Sequence, residues 1–212
     1  MEWRRSKLTY LFVLFALGLF FYFFFVVKEG KPLLFDSSIS GFLTDVFTKS
    51  SHSFFKIFNT VGSTIGIGII SLIVIAWLWL KRRDFTGMAV FVFAIALGNL
   101  LNKWLKDFVG RPRPETEHLV KVKSLSFPSG HAMMGIILYI LIAYFIIAGL
   151  RSNGLKWLVA VIAGIIIVLM GISRIVMQVH YPSDVAAGLA AGFVWVYLWV
   201  VCYELLQVRK KE

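Results

Sequence analysis

Three short stretches of this 212-residue chain hold residue types that could do chemistry: KDFVGRPRP at 106–114, SFPSGHAMMG at 126–135 and SRIVMQVHYPSD at 173–184. In the last, His180 and Asp184 are four residues apart at the start of an apolar run. On a helix that spacing brings the carboxylate to the imidazole, where it holds the tautomer and stabilises the cation formed when the other nitrogen attacks. His131 offers a second imidazole, a general acid for a leaving oxygen. Lys106, Arg113 and Arg174 supply three permanent positive charges, which a dianionic phosphoryl group requires if it is to leave water. In FPSGH, Pro128 suits the first turn of a helix and Ser126 or Ser129 can cap it. The amides of Ser129, Gly130 and His131 would then point outward, and a glycine lets phosphate oxygens approach the backbone. Each feature also has a plainer reading. A cation at a helix end ordinarily snorkels, a lone histidine at a membrane interface is usually structural, and PSGH alone is an ordinary helix start. Three cations beside two histidines, one with a carboxylate partner, point to phosphoryl chemistry.

The elements that must position these residues are apolar. The chain is 59% hydrophobic and 16% charged, against about 25% charged in a typical soluble domain. Six runs, near 8–27, 57–80, 85–105, 130–149, 155–173 and 185–206, approach the roughly 20 residues needed to cross a hydrocarbon core. The expected fold is all-α: a polytopic membrane protein with a six-transmembrane-helix bundle, read as one integral membrane domain over 1–212. The prolines, Pro32, Pro112, Pro114, Pro128 and Pro182, fall at the ends of the runs or between them, where a missing amide donor does least harm. The first run is too long for a signal-peptide core and lacks a small-residue cleavage site, so it reads as a retained anchor. Between the first two runs, Phe35, Ile39, Phe42, Leu43, Val46 and Phe47 recur at helical spacing with Asp36, Ser40, Thr44 and Asp45 between them. This predicts a short amphipathic helix in the membrane interface. GSTIGIG at 62–68 and GLAAG at 188–192 put small residues four apart, a packing signal. Cys202, the single cysteine, reads as a small buried hydrophobe.

Six spans place both termini on one side, and their even spacing brings the three polar stretches together on the other. Arg4, Arg5, Lys7, Lys81, Arg82, Arg83, Arg151, Lys156, Arg209, Lys210 and Lys211 flank the terminal side. The opposite side, which includes Lys28, Lys31, Lys49, Lys56, Lys103, Lys121 and Lys123, holds as many basic residues. The tie breaks because the first set lies in short connections and tails, where the positive-inside rule acts best, while Lys106, Arg113 and Arg174 belong to an anion site. The expected location is a multi-pass cell-membrane protein with cytoplasmic N- and C-termini and the polar cluster at the outer face. The net charge of +11 suits anionic lipid. No basic block interleaved with aromatics lies outside the runs, so no nucleic acid is expected.

Lys106 followed by six residues and Arg113-Pro114, then Pro128-Ser129-Gly130-His131, then Ser173-Arg174 with five residues to His180 and three more to Asp184, resemble the three signature motifs of the type-2 phosphatidic acid phosphatase family. Taken on Arg111-Pro112, the first interval would be wrong. The resemblance implies a metal-independent phosphatase with a phosphohistidine intermediate and no cofactor. It implies that His180 is the nucleophile, Asp184 its orienting partner and His131 the acid. It also implies that Lys106, Arg113, Arg174, Ser129 and Gly130 bind phosphate. Among the family's membrane members, small chains without a soluble insert act on phosphatidylglycerophosphate, polyprenyl pyrophosphates such as undecaprenyl pyrophosphate, or phosphatidic acid. The chain resembles the bacterial phosphatidylglycerophosphate phosphatase type most generally, and no motif distinguishes the head group.

Two other classes compete. A transporter or lipid-binding protein would use intramembrane polar groups along a path, and Asn99, Asn102 and Lys103 can be read that way. A metal-dependent hydrolase would need ligands, but Glu115, Glu117 and His118 lack a recognisable ligand spacing, so no metal is expected. The expected partners are a lipid phosphate substrate and membrane lipids, with no protein partner indicated.

Overall fold

The computed structural model describes residues 6–115, 119–120 and 124–209. The basic residues Arg4, Arg5, Lys121, Lys123, Lys210 and Lys211, and Glu117 and His118 of the weighed metal cluster, lie outside the described residues. The described chain forms α1 (Lys7–Lys28), α2 (Leu34–Val46), a 3₁₀ turn (Lys49–Ser51), α3 (His52–Val61), α4 (Thr64–Trp77) with a π turn (Leu78–Arg82), α5 (Phe85–Val109), α6 (Gly130–Gly149), α7 (Asn153–Val176) and α8 (Pro182–Arg209). Six of these, α1 and α4–α8, are long and apolar enough to cross a membrane.

Capping explains most of the boundaries. Ser6, Ser63, Asp84, Ser129 and Ser152 each accept a bond from an amide in the first turn of α1, α4, α5, α6 and α7 respectively, satisfying a donor that has no intrahelical partner. Gly110, at φ +74°, ends α5 in the left-handed conformation that glycine adopts without penalty. One cap corrects an expected boundary. The second span does not begin near residue 57, because Ser63 donates to the Thr60 carbonyl at 2.7 Å and accepts from Gly66 N at 3.1 Å. Those two bonds break the run at Gly62 and leave α3 as a separate helix. The expected interfacial helix is therefore followed by a second short one.

α6 is the central staff. Its Met133, Ile137, Leu138, Leu141 and Phe145 are buried against Phe91 and Ala94 of α5, Ile67 and Val74 of α4, and Val196 and Val200 of α8. Lipid tails are as apolar as leucine, so burying apolar surface gains little in a bilayer and close van der Waals contact must hold the helices together. GLAAG behaves accordingly: a Cβ on Gly188 would stand 2.6 Å from the Ser129 carbonyl, and one on Gly192 would strike Ile136 and Met133. GSTIGIG differs, since Gly68 meets nothing and Gly62 instead packs its backbone against the His131 ring and Met170. The approach of α8 to α6 is what brings Asp184 beside the start of α6, where Ser129 N donates to the Asp184 carbonyl at 2.9 Å.

Candidate active site

The three polar stretches meet at one end of the bundle, around a cavity of about 720 Å³. Lys106, Arg113, Gly130, His131, Arg174 and His180 all line it. Asp184 and Ser129, both 0% exposed, stand behind this wall.

His180 lies in the connection between α7 and α8. Its Nδ1 is 3.3 Å from Asp184 Oδ2 and 3.3 Å from Ser126 Oγ, while Nε2 is 3.3 Å from an Arg113 nitrogen. A carboxylate only accepts, so the pair places the proton on Nδ1, and the Nε2 lone pair faces the cavity as an acceptor for the Arg113 guanidinium. Burial pushes the imidazole from its ordinary 6.5 down to about 3, against the opposing pull of the Asp184 hydrogen bond and charge. The ring is therefore neutral at pH 7, the form in which nitrogen is nucleophilic.

Asp184 is held on both oxygens. Oδ2 accepts from Ser126 Oγ and from Tyr181 N at 3.0 Å, and Oδ1 accepts from Arg111 at 2.6 Å. Arg111 also reaches Asp36 at 2.8 Å and Ser183 Oγ at 2.8 Å, with its guanidinium carbon 3.9 Å over the Tyr181 ring. Asp36 closes the network by accepting from Ser183 N at 2.7 Å.

The three cations of the cavity have a different diet. Lys106 Nζ donates to the carbonyls of Leu125 and Ser126 at 2.7 and 3.1 Å. Arg113 donates to the Ser124 carbonyl at 2.7 Å and the Ser124 hydroxyl at 3.0 Å, and to the Val179 carbonyl. Arg174 donates to the Asn59 side-chain carbonyl. None of the three forms an ion pair among the described residues. Arg174 is 1% exposed, which rules out snorkelling, and its Nε is buried with no hydrogen-bond partner. A buried positive charge bonded only to neutral acceptors is costly, and an anion in the cavity offsets that cost.

His131, in the first turn of α6, points Nε2 at the Asn59 carbonyl, 3.1 Å away. A carbonyl only accepts, so Nε2 carries hydrogen in this arrangement. Ser129 departs from the expected cradle: its hydroxyl caps Ala132 N and its amide is spent on Asp184. Pro128 sits before the cap, not inside the first turn. The amides of Gly130 and His131, which no intrahelical acceptor precedes, are the ones at the wall.

Four residues of this site were not among the expected ones. Asp36, read as part of a polar face, is 6% exposed and bound to Arg111. The motif spacing passes over Arg111, the sequence offers Ser126 only as a cap, and Asn59 falls in an apolar run of span length. For Asp36 the sequence carries no distinguishing signal, since Ser40, Thr44 and Asp45 share the polar positions of the same amphipathic helix.

A helical membrane protein with six candidate spans and a buried cationic cavity facing an oriented histidine is the class that fold and site define. The chain belongs to the PAP2 superfamily, whose sequence profile matches residues 87–207. It is 38% identical over 133 residues to phosphatidylglycerophosphatase B of Bacillus subtilis, covering 61% of this chain and 65% of that protein, slightly under two thirds of its length. It also resembles the crystal structure of a transmembrane PAP2-type phosphatidylglycerolphosphate phosphatase from Bacillus subtilis, with a TM-score of 0.79, 29% identity, and 89% and 96% of the two chains covered. LpxE of Aquifex aeolicus, at TM-score 0.64, 22% identity and coverages of 80% and 97%, shares the fold.

Proposed function

We propose that this protein is a membrane lipid phosphate phosphatase that removes the terminal phosphate of phosphatidylglycerophosphate through a phosphohistidine on His180, without a metal. The observation that carries the reading is the charge arrangement. Three cations, Lys106 and Arg174 buried and Arg113 half-buried, face the cavity with no carboxylate partner among the described residues, beside an imidazole whose Nδ1 is held by Asp184.

In the first step His180 Nε2 attacks phosphorus, the P–O bond to the lipid breaks, and the departing alkoxide takes a proton from His131. Lys106, Arg113, Arg174 and the Gly130 amide hold the phosphoryl oxygens and neutralise the charge that spreads over them. Arg113, which borders Nε2 at 3.3 Å, turns its donor to the phosphate. Since Nε2 of His131 is engaged by Asn59, the proton delivered is the one on Nδ1 of the imidazolium, whose charge the dianionic substrate balances. In the second step His131 takes a proton from water onto Nδ1, and the hydroxide attacks phosphorus. The P–N bond breaks, inorganic phosphate leaves and the imidazolium is restored.

The basic flanks Lys7, Lys81, Arg82, Arg83 and Arg209 support cytoplasmic termini and an outward-facing site. The test of the function is phosphate release from phosphatidylglycerophosphate, undecaprenyl pyrophosphate and phosphatidic acid in matched micelles, with and without EDTA. Release in EDTA, fastest from phosphatidylglycerophosphate, is the expected result. Loss of activity in EDTA that added divalent metal restores would overturn the mechanism. Lipid transport without any phosphate release would overturn the function.

A further inference from the structure

The cavity does not stop at the phosphate-facing cations. It continues along α4 and α5, where Ile67, Ser71, Ile95, Asn99 and Lys103 line it. On α5, Lys103 is three residues from Lys106 and Asn99 is seven, one and two turns along a common face. At 1.5 Å per residue they lie about 4.5 and 10.5 Å from Lys106 toward the middle of the helix. α4 runs the opposite way, and Ser71 lies about 10.5 Å in from Thr64, also a cavity residue, so it falls at a depth similar to Asn99. The Ser71 hydroxyl is buried with no hydrogen-bond partner, the only such side-chain atom among the described residues besides Arg174 Nε. Asn99 is exposed on a span. Lys103 is also exposed and forms no ion pair among the described residues, although Asp107 lines the cavity one turn nearer the mouth. Polar groups at acyl-chain depth are costly unless something polar meets them.

We propose that Lys103, Asn99 and Ser71 form a second polar subsite, which takes the internal phosphodiester and glycerol ester region of a glycerolipid whose terminal phosphate lies at His180. This rests on the phosphatase reading and names the substrate feature that the groove selects. With the terminal phosphate among Lys106, Arg113 and Arg174, a phosphodiester one glycerol linker away meets the Lys103 ammonium, and the ester oxygens beyond it meet the Asn99 amide and the Ser71 hydroxyl. Phosphatidic acid, whose one phosphate is the scissile group, has nothing for Lys103. A polyprenyl pyrophosphate has only hydrocarbon at the depth of Asn99 and Ser71.

The experiment compares kcat/KM on these three lipids in matched micelles for the parent, Lys103→Gln, Lys103→Arg and Asn99→Leu. In Lys103→Gln the preference for phosphatidylglycerophosphate over phosphatidic acid should fall about ten-fold, as expected for one charge-assisted hydrogen bond, mostly through KM. Lys103→Arg should restore it. In Asn99→Leu phosphatidylglycerophosphate should lose ground to the polyprenyl pyrophosphate, and to phosphatidic acid, whose esters lie one linker nearer His180. Preferences equal to the parent's in Lys103→Gln and Asn99→Leu would overturn the subsite while leaving the phosphatase reading intact. A parent protein that hydrolyses none of the three lipids would overturn the reading itself.

Discussion

The two ends of the bundle both gather polar side chains, half-buried at one end and largely buried at the other, and they differ in which atoms are left without partners. At the end away from the cavity, Asp84 accepts from Gly87 N at 2.8 Å, Gln207 Nε2 at 3.3 Å and Tyr203 OH at 2.5 Å. Tyr144 OH donates to Glu204 at 3.3 Å nearby. That cluster joins the start of α5 to the end of α8. At the other end Arg111 pairs with the two buried carboxylates, Asp36 and Asp184, and Lys106, Arg113 and Arg174 form no ion pair among the described residues. The two buried side-chain atoms without partners among the described residues, Ser71 Oγ and Arg174 Nε, both belong to residues lining this cavity. A polar cluster by itself therefore does not mark a site; here the buried atoms left without partners lie beside a cavity that an imidazole faces.

The sharpest way to break this contrast is at His180. His180→Ala removes the atom that bonds phosphorus, so no phosphoenzyme should be trapped with any substrate and turnover should fall to background. His131→Ala should lose about 10²–10⁴-fold on a lipid, whose alkoxide needs a proton. It should lose less on p-nitrophenyl phosphate, whose phenolate does not. Equal losses on both substrates would remove His131 from the leaving-group step.

A smaller effect is expected at Arg111, which touches no cavity wall of the phosphate site but holds Asp184. Arg111→Met leaves Asp36 and Asp184 buried without their cation. Losing a bond of this charged type costs about 1.5–3 kcal/mol, so kcat should fall roughly 10–100-fold, with KM little changed. A rise in KM with kcat unchanged would mean that Arg111 binds substrate directly. The matching change at the other end, Asp84→Ala, should cost about 1–2 kcal/mol of stability through the lost cap while turnover per folded molecule stays at the parent value. A drop in that turnover would show that the two ends are coupled.

The smallest expected effect is on pH dependence. The folded pKa of His180, about 3, lies below its ordinary 6.5, so between those values the unfolded chain binds a proton that the folded chain refuses. Stability from this group is complete above about 6.5 and is lost as pH falls toward 3. The apparent Tm in detergent should therefore decline from pH 7 to 4, and His180→Asn should decline less steeply. Parallel declines would assign the loss to other groups.

Much of this molecule was legible from one-dimensional pattern. Runs of apolar residues specify spans because each must satisfy its own backbone within the bilayer, and a carboxylate four residues after a histidine meets it because a helix brings them to one face. Prolines at the run ends and a serine before the fourth run marked helix boundaries for equally local reasons. The partners of the cations were not legible, because they depend on which helices touch. Asp36 on α2 reaches Arg111 across 75 residues of chain, and Asn59 reaches Arg174 across 115. Nothing local distinguishes Asp36 from a solvated residue on an amphipathic face, or Asn59 from a polar residue in a span. Only the approach of α2 and α3 to the ends of α7 and α8 decided that Arg111 would neutralise the carboxylates and leave three cations facing the cavity.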